Sequence, residues 1–213
     1  MMTIEDYIVD HIDGEGELLS KLNRDAHVNL LRPRMISGHL QGRILKMLVR
    51  LHRPQRILEI GTYTGYATLC LAEALPEGAE IHTIEKDEEM EDFIWKQFNP
   101  SGLKDKIHLH IGDALEIIPR LEGNFDMVFI DADKRLYNEY YDLVFDKVNP
   151  GGIILADNTL WSGKVLEAPH SGDKQTIGIL NFNEKIKQDT RIEKVILPLR
   201  DGLTIIYKLR TKN

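Results

Sequence analysis

The spacing of apolar residues changes near residue 56. Before it, the pattern is helical. Ile4, Tyr7, Ile8 and Ile12 fall on one helical face behind Thr3, a residue with N-cap chemistry. Leu18, Leu19 and Leu22 continue the helical spacing. Gly38 and Gly42 flank a short polar stretch, and Ile44, Leu45, Leu48, Val49 and Leu51 form the next apolar face. Pro54 lies just past that face and should stop it.

From Arg56 on, short apolar runs alternate with helical stretches. The runs are 56–61, 80–85, 107–111, 125–130 and 152–156, and they read as buried strands. Between them, 66–75, 88–98, 114–121 and 137–148 read as helices, and 179–189 as another. The runs 192–198 and 202–209 flank the turn Arg200-Asp201-Gly202. Alternation of this kind predicts an α/β fold, with a mostly parallel seven-stranded sheet and helices on both faces. The last two strands are joined too tightly for a crossover helix, so they should form an antiparallel hairpin. The expected organisation is one domain over 1–213, with a helical extension at 1–54 and the α/β core at 55–213.

Composition narrows the function classes. The 213 residues are 42% hydrophobic and 29% charged, ordinary for a soluble globular chain. The 27 basic residues against 34 acidic ones leave a net charge of −7. That argues against a broad grip on nucleic acid or on an anionic membrane. Cys70 is the single cysteine, so an internal disulfide or a cysteine-rich zinc site is excluded. No apolar run approaches the roughly 20 residues that span a bilayer, and the first ten residues show no signal-peptide pattern. The expectation is a cytoplasmic protein with no membrane partner.

In open α/β sheets, ligands bind beyond the carboxyl ends of the strands. Four such places carry candidate chemistry. Gly61 and Gly65 follow the first strand, where glycines permit a sharp turn and close approach of a ligand. Their spacing lacks the pyrophosphate fingerprint and suits a nucleoside better; a ligand-free turn is the alternative. Glu85 ends the second strand, where an acid accepts hydrogen bonds from ribose hydroxyls; a solvated acid is the alternative. Asp113 and Ala114 follow the third strand, suited to an adenine pocket, to a helix cap, or to both. Asp131, Asp157 and Asn158 follow the fourth and fifth strands. Two carboxylates and an amide carbonyl make an oxygen-only set suited to a hard divalent ion such as Mg²⁺. Turn acids and helix caps are the competing reading.

Three stretches together carry a resemblance: Leu58-Glu-Ile-Gly-Thr-Tyr-Thr-Gly-Tyr66, Phe129-Ile-Asp-Ala-Asp-Lys134 and Asp157-Asn-Thr-Leu-Trp-Ser-Gly163. With them the chain resembles the cation-dependent O-methyltransferases that use S-adenosylmethionine, the catechol and caffeoyl-CoA group and its small bacterial members. The likeness runs from about Met35 to Tyr207. It implies a Rossmann-like methyltransferase fold that moves a methyl group from S-adenosylmethionine to a hydroxyl of a catechol-like acceptor. It implies Asp131, Asp157 and Asn158 as ligands of Mg²⁺, or of Mn²⁺ or Ca²⁺, and Lys134 as the general base. Ser37, Glu59, Gly61, Thr62, Ala67, Glu85, Asp113, Ala114, Asp131 and Asp133 are implied on the cofactor side. Ala67 stands where the family usually has Ser, so one hydrogen bond to the cofactor carboxylate is expected to be missing. The N-terminal helices are read as building a homodimer, with cover over the site as the alternative.

The acceptor stays open at this level. The stretch Val195 to Arg200 lacks the glutamate that animal catechol enzymes use for substrate. The loop Ser162–Thr176 is the expected lid and specificity element. Arg32, Arg34, Arg43, Arg50, Arg53 and Arg56 give a local basic bias, read first as a solvated face with salt bridges. The alternative function is methylation of a 5-hydroxyuridine in tRNA, and a further alternative is a non-catalytic S-adenosylmethionine-binding protein. Trp161 reads equally as a pocket wall or a core residue. The eight histidines form no zinc-ligand spacing; His108 and His110 share a strand face but lack a third partner nearby, so all eight are taken as structural or surface residues.

Overall fold

The computed structural model describes residues 2–210. Three helices come first: α1 (Ile4–Asp10), α2 (Gly16–Asn29) and α3 (Gly38–His52). Then follow β1 (Arg56–Ile60), α4 (Tyr66–Ala72), β2 (Glu80–Glu85), α5 (Glu91–Phe98), β3 (Ile107–Ile111), α6 (Ala114–Arg120) and β4 (Phe125–Ile130). The chain ends with α7 (Tyr137–Phe145), β5 (Val148–Ala156), α8 (Lys174–Gln188), β6 (Ile192–Leu197) and β7 (Leu203–Lys208).

The strands form a seven-stranded sheet in the order β3-β2-β1-β4-β5-β7-β6. β1 runs parallel to β4, β4 to β5, and β2 to β3. β7 is antiparallel to both β5 and β6, so the C-terminal hairpin enters the sheet through its second strand. The mostly parallel α/β architecture is the one the sequence pattern predicts.

By contacts the chain falls into two compact units. One holds the chain up to Gln55 together with Thr62–Ile111; the other holds Arg56–Gly61 and the chain from Gly112 on.

In the first unit, Thr3 and Asp6 form a reciprocal capping box at the start of α1, a device worth about 1 kcal/mol. Leu19, Leu22 and Ala26 of α2 and Leu45 and Val49 of α3 are buried beside an α4 that is buried throughout. α3 starts at Gly38, six residues before the apolar face read from sequence. Within it, Gly42 packs closely: a Cβ there would lie 2.7 Å from Cys70 Sγ and 3.0 Å from Tyr66 Cε1. Its helix-propensity cost of about 1 kcal/mol is offset by close packing of α3 on α4.

In the second unit, Phe125, Met127, Val128, Phe129 and Ile130 of β4 are all fully buried. Tyr137 and Tyr141 of α7 meet Phe182 of α8 edge to face, at 5.4 and 6.0 Å between ring centres. α7 stops at Phe145, and the chain is already in β5 by Val148. α8 begins at Lys174, five residues earlier than the apolar spacing predicts. Asp173 starts it by accepting hydrogen bonds from the Thr176 N–H and hydroxyl. The loop expected as a lid is therefore shorter at its C-terminal end, and its exposed irregular part is 167–172.

Candidate active site

The oxygen-rich set predicted from sequence lies wholly in the second unit. Ile130 of β4 pairs with Ala156 of β5, so Asp131 and Asp157 follow paired strand ends. The Asp131 N–H donates to Ile60 O at 2.9 Å, and the Asp157 N–H donates to Ile130 O at 3.0 Å. The pairing thus extends one residue past each strand and fixes both Cα positions. Asp157 is 2% exposed, and its Oδ1 accepts from the Asn158 N–H at 2.8 Å. Asn158 has φ 60°, the left-handed region that Asn tolerates better than most residues.

Lys134 follows in a 3-10 turn. Its Nζ donates to Asp131 Oδ1 at 2.7 Å and lies 5.1 Å from the centre of the Tyr137 ring. The side chain is almost fully buried. Tyr137, fully buried, donates its hydroxyl to Asp157 O at 3.0 Å and is within reach of Ile130 O at 3.3 Å. One phenol thereby braces the ends of both β4 and β5 beneath the lysine. Burial alone lowers the Lys134 pKa, but the Asp131 carboxylate and the Tyr137 hydroxyl more than offset it, so the net direction is up. Burial pushes the Tyr137 phenol up as well, so it stays a neutral donor.

The donor set fits a hard divalent ion. It offers carboxylate and amide oxygens on a braced backbone, without thiol or imidazole. The Lys134 ammonium against Asp131 Oδ1 also marks that oxygen as one that takes a cation.

Other cofactor-side candidates lie in the same unit. Glu59 is fully buried on β1. Gly61 has φ +101°, and a Cβ there would lie 2.1 Å from Asp131 O, so no side chain fits. Asp113 caps α6 by accepting from the Leu115 N–H at 2.9 Å, and Ala114 is buried in its first turn. The cap reading of Asp113 is thus present in the fold. Asp133 accepts from the Arg135 backbone N–H at 3.1 Å and forms a forked ion pair with the Arg135 guanidinium. Tyr140, buried, has its phenol pKa raised by burial and then by Asp133 and Asp113.

The remaining candidates belong to the first unit. Thr62 donates its N–H to Ile84 O at 3.2 Å and shares a hydrogen bond of 2.6 Å with the Thr83 hydroxyl. The next residue, Tyr63, has φ 50° and donates its N–H to Glu85 Oε2 at 2.6 Å. Glu85 Oε1 accepts from the Asp87 N–H at 2.9 Å. Glu85 is therefore oriented by two backbone donors, and each carboxylate oxygen keeps a further lone pair. Ser37, just before α3, and Ala67, in the first turn of α4, are both buried.

Sequence reasoning missed the bracing role of Tyr137, which it takes only as the first residue of a helix. It also missed a gathering of His82, His108, His110 and Glu80 on β2 and β3, because strand register is invisible until the pairing is known. Two of the six arginines are committed to structure. Arg43 pairs with Glu73 at 3.4 Å, and Arg56 donates to Glu122 O at 2.8 Å.

The comparisons with known proteins are consistent with this geometry. The family described as O-methyltransferase matches residues 9–209. The chain belongs to the O-methyltransferase family. It is similar to a catechol O-methyltransferase of Niastella koreensis, 33% identical and covering 92% of this chain and 90% of the relative. It is also similar to a caffeoyl-CoA O-methyltransferase of Eucalyptus gunnii, 33% identical over 80% of this chain and 72% of the relative. Among solved structures, the O-methyltransferase TomG from Streptomyces achromogenes, in complex with SAM, gives a TM-score of 0.88. It is 29% identical and covers 96% of this chain and 95% of that one. An O-methyltransferase from Bacillus cereus in complex with SAH gives 0.89, at 28% identity and 96% of both chains. The chain is thus an enzyme of the O-methyltransferase class. Among the described residues, no helix is long and apolar enough to cross a membrane.

Proposed function

We propose that this enzyme transfers a methyl group from S-adenosylmethionine to one hydroxyl of a catechol-like acceptor, with a divalent cation, Mg²⁺ first, held by Asp131, Asp157 and Asn158. The observation that carries the reading is the buried Lys134 ammonium, 2.7 Å from Asp131 Oδ1, beside the paired end of β5 that bears Asp157. A lysine and a braced oxygen set in one place supply what activation of a vicinal diol requires.

S-adenosylmethionine supplies an electrophilic methyl on a sulfonium, and the cation, when bound, lowers the pKa of an acceptor hydroxyl and holds two neighbouring oxygens. The chain's own residues do the rest. Lys134 Nζ takes the hydroxyl proton, for which the amine must first be neutral. That requires the Asp131 charge to be engaged by another cation, because Asp131 is what raises the Lys134 pKa. Tyr137 keeps the ends of β4 and β5 in register, so the oxygens hold their places without reorganisation.

On the cofactor side, the reading assigns Glu85 to the ribose hydroxyls, Asp113 and Ala114 to the adenine, and Ser37, Glu59, Gly61, Thr62, Ala67, Asp131 and Asp133 to the remainder. Support comes from Gly61, whose place beside Asp131 O admits no side chain, and from the fixed Glu85 carboxylate. Relatives solved with SAM or SAH add to it. Trp161 is proposed as an acceptor wall. Its indole N–H is buried without a hydrogen-bond partner among the described residues, and an acceptor oxygen would satisfy it. A homodimer in the cytoplasm is proposed as the working form, supported by exposed Ile4, Tyr7, Val28 and Leu31 near the N-terminus.

The test is a transfer assay with labelled S-adenosylmethionine, run in parallel on a catechol panel, a CoA thioester and bulk tRNA. Mg²⁺-dependent label in a catechol supports the proposal. Label only in tRNA refutes the acceptor class, and label in none of them refutes the proposal as a whole.

A further inference from the structure

One cluster of ligating side chains lies outside the residues used above. β2 and β3 are parallel, with His82 paired to His108 and Ile84 to His110. Side chains two apart on a strand share a face, so Glu80, His82, His108 and His110 come together. Glu80 Oε1 is 3.1 Å from His82 Nε2, and Glu80 Oε2 is 3.1 Å from His108 Nε2. The ligating atoms of Glu80, His82 and His108 all lie within 4.8 Å of one another. The His82 and His108 rings stack with centres 4.8 Å apart, and His82 Nδ1 meets His110 Nε2 at 3.0 Å.

We propose that Glu80, His82 and His108 form a second cation site, which takes a borderline transition-metal dication of the Zn²⁺ kind and clips the edge strand β3 to β2. Two imidazoles and a carboxylate select such an ion over Mg²⁺, which prefers oxygen alone. Both carboxylate–imidazole spacings suit it. Ligands at about 2.0–2.1 Å from a tetrahedral ion stand about 3.3 Å apart, close to the 3.1 Å seen at both Glu80 contacts. The ion takes the place of the two hydrogen bonds once the exposed His108 ring turns out of its stack on His82 to face it. His110 serves the site from outside. It engages the second nitrogen of His82, which fixes that ring's orientation and leaves Nε2 for the metal. His108 is exposed, so an ion has a route in from solvent. Three protein ligands leave a fourth position for water.

The test uses the full chain with Zn²⁺ as probe, in excess Mg²⁺ to occupy oxygen-only sites. Titration calorimetry should give one Zn²⁺ per chain, and Co²⁺ in its place should give the absorption bands of a four-coordinate ion. Zn²⁺ should also raise the melting temperature, because it binds the folded chain preferentially. His108→Ala and Glu80→Gln, both at solvent-accessible positions, should each weaken Zn²⁺ at least tenfold and abolish the thermal shift. His110→Ala should weaken it by about 10–100-fold. Asp157→Ala should leave Zn²⁺ binding intact, which separates this site from the proposed methyl-transfer cation. Absence of saturable Zn²⁺ binding in the wild type overturns the proposal. So does undiminished binding in either His108→Ala or Glu80→Gln.

Discussion

Lys134 reaches back across three residues to place its ammonium 2.7 Å from Asp131, while both remain tied to the paired ends of β4 and β5. The contact has two consequences. It gives a buried lysine a counter-charge, without which burial would cost several kcal/mol. It also makes Asp131 the switch on Lys134 basicity, since that carboxylate is what raises the lysine's pKa. In the proposed mechanism, an ion bound at Asp131 would free Lys134 to act as a base.

Lys134→Met should cut turnover by about 10²–10⁴-fold, the usual contribution of a positioned base. Affinity for S-adenosylmethionine, read by calorimetry, should change little. Turnover that survives intact removes Lys134 from the chemistry.

Asp157→Ala should abolish the stimulation of turnover by Mg²⁺ and leave cofactor binding largely in place. Because Tyr137 donates to the Asp157 main-chain carbonyl, the brace survives this substitution. A variant with unchanged response to Mg²⁺ refutes the ligand role.

Glu85→Gln keeps the shape of the side chain and removes its charge. Hydrogen bonds to charged groups are worth about 1.5–3 kcal/mol, so cofactor affinity should fall roughly 10–100-fold. Equal affinity in the two proteins counts against the ribose contact. Circular dichroism should show the fold retained even though Tyr63 and Asp87 lean on this carboxylate.

Gly61→Ala should destabilise the fold by at least about 1–2 kcal/mol from the positive φ alone, with more from a Cβ 2.1 Å from Asp131 O. Urea unfolding measures this directly. A variant as stable as wild type would mean that the turn after β1 is not held against Asp131.

Asp189 sets a pH dependence of stability. Hydrogen bonds from the Arg191 guanidinium hold its carboxyl well below the usual range, against the opposing effect of burial, and the Tyr141 hydroxyl adds to the lowering. A carboxyl lowered in the folded state contributes stability above its unfolded pKa of about 3.9. That contribution is lost as pH falls toward the folded value. Asp189→Asn should therefore be less stable than wild type at pH 7, with the gap closing below about pH 3.9. A gap that stays constant from neutral to acid pH contradicts the assignment.

The sheet was readable from sequence because each buried strand is a short apolar run closed by Gly, Asp or a turn. The positions of Asp131 and Asp157 followed from that reading. What stayed hidden depended on contacts distant in sequence. Gly42 sits inside α3 where Cys70 and Tyr66 leave no room for a side chain, and α8 starts at Lys174 because Asp173 caps it. The Lys134–Asp131 contact depended on side-chain placement, and the histidine cluster needed the register of β2 against β3. Tyr137 carried no motif, and its bracing role emerged only from two backbone carbonyls brought together by strand pairing.

Cation dependence of methyl transfer tests the central claim most directly. The enzyme is stripped with EDTA, and transfer of labelled methyl to a catechol is followed across a titration of Mg²⁺. The proposed mechanism predicts negligible transfer in chelator, saturable recovery with Mg²⁺ in the wild type, and no recovery in Asp157→Ala. Full transfer in chelator would contradict it.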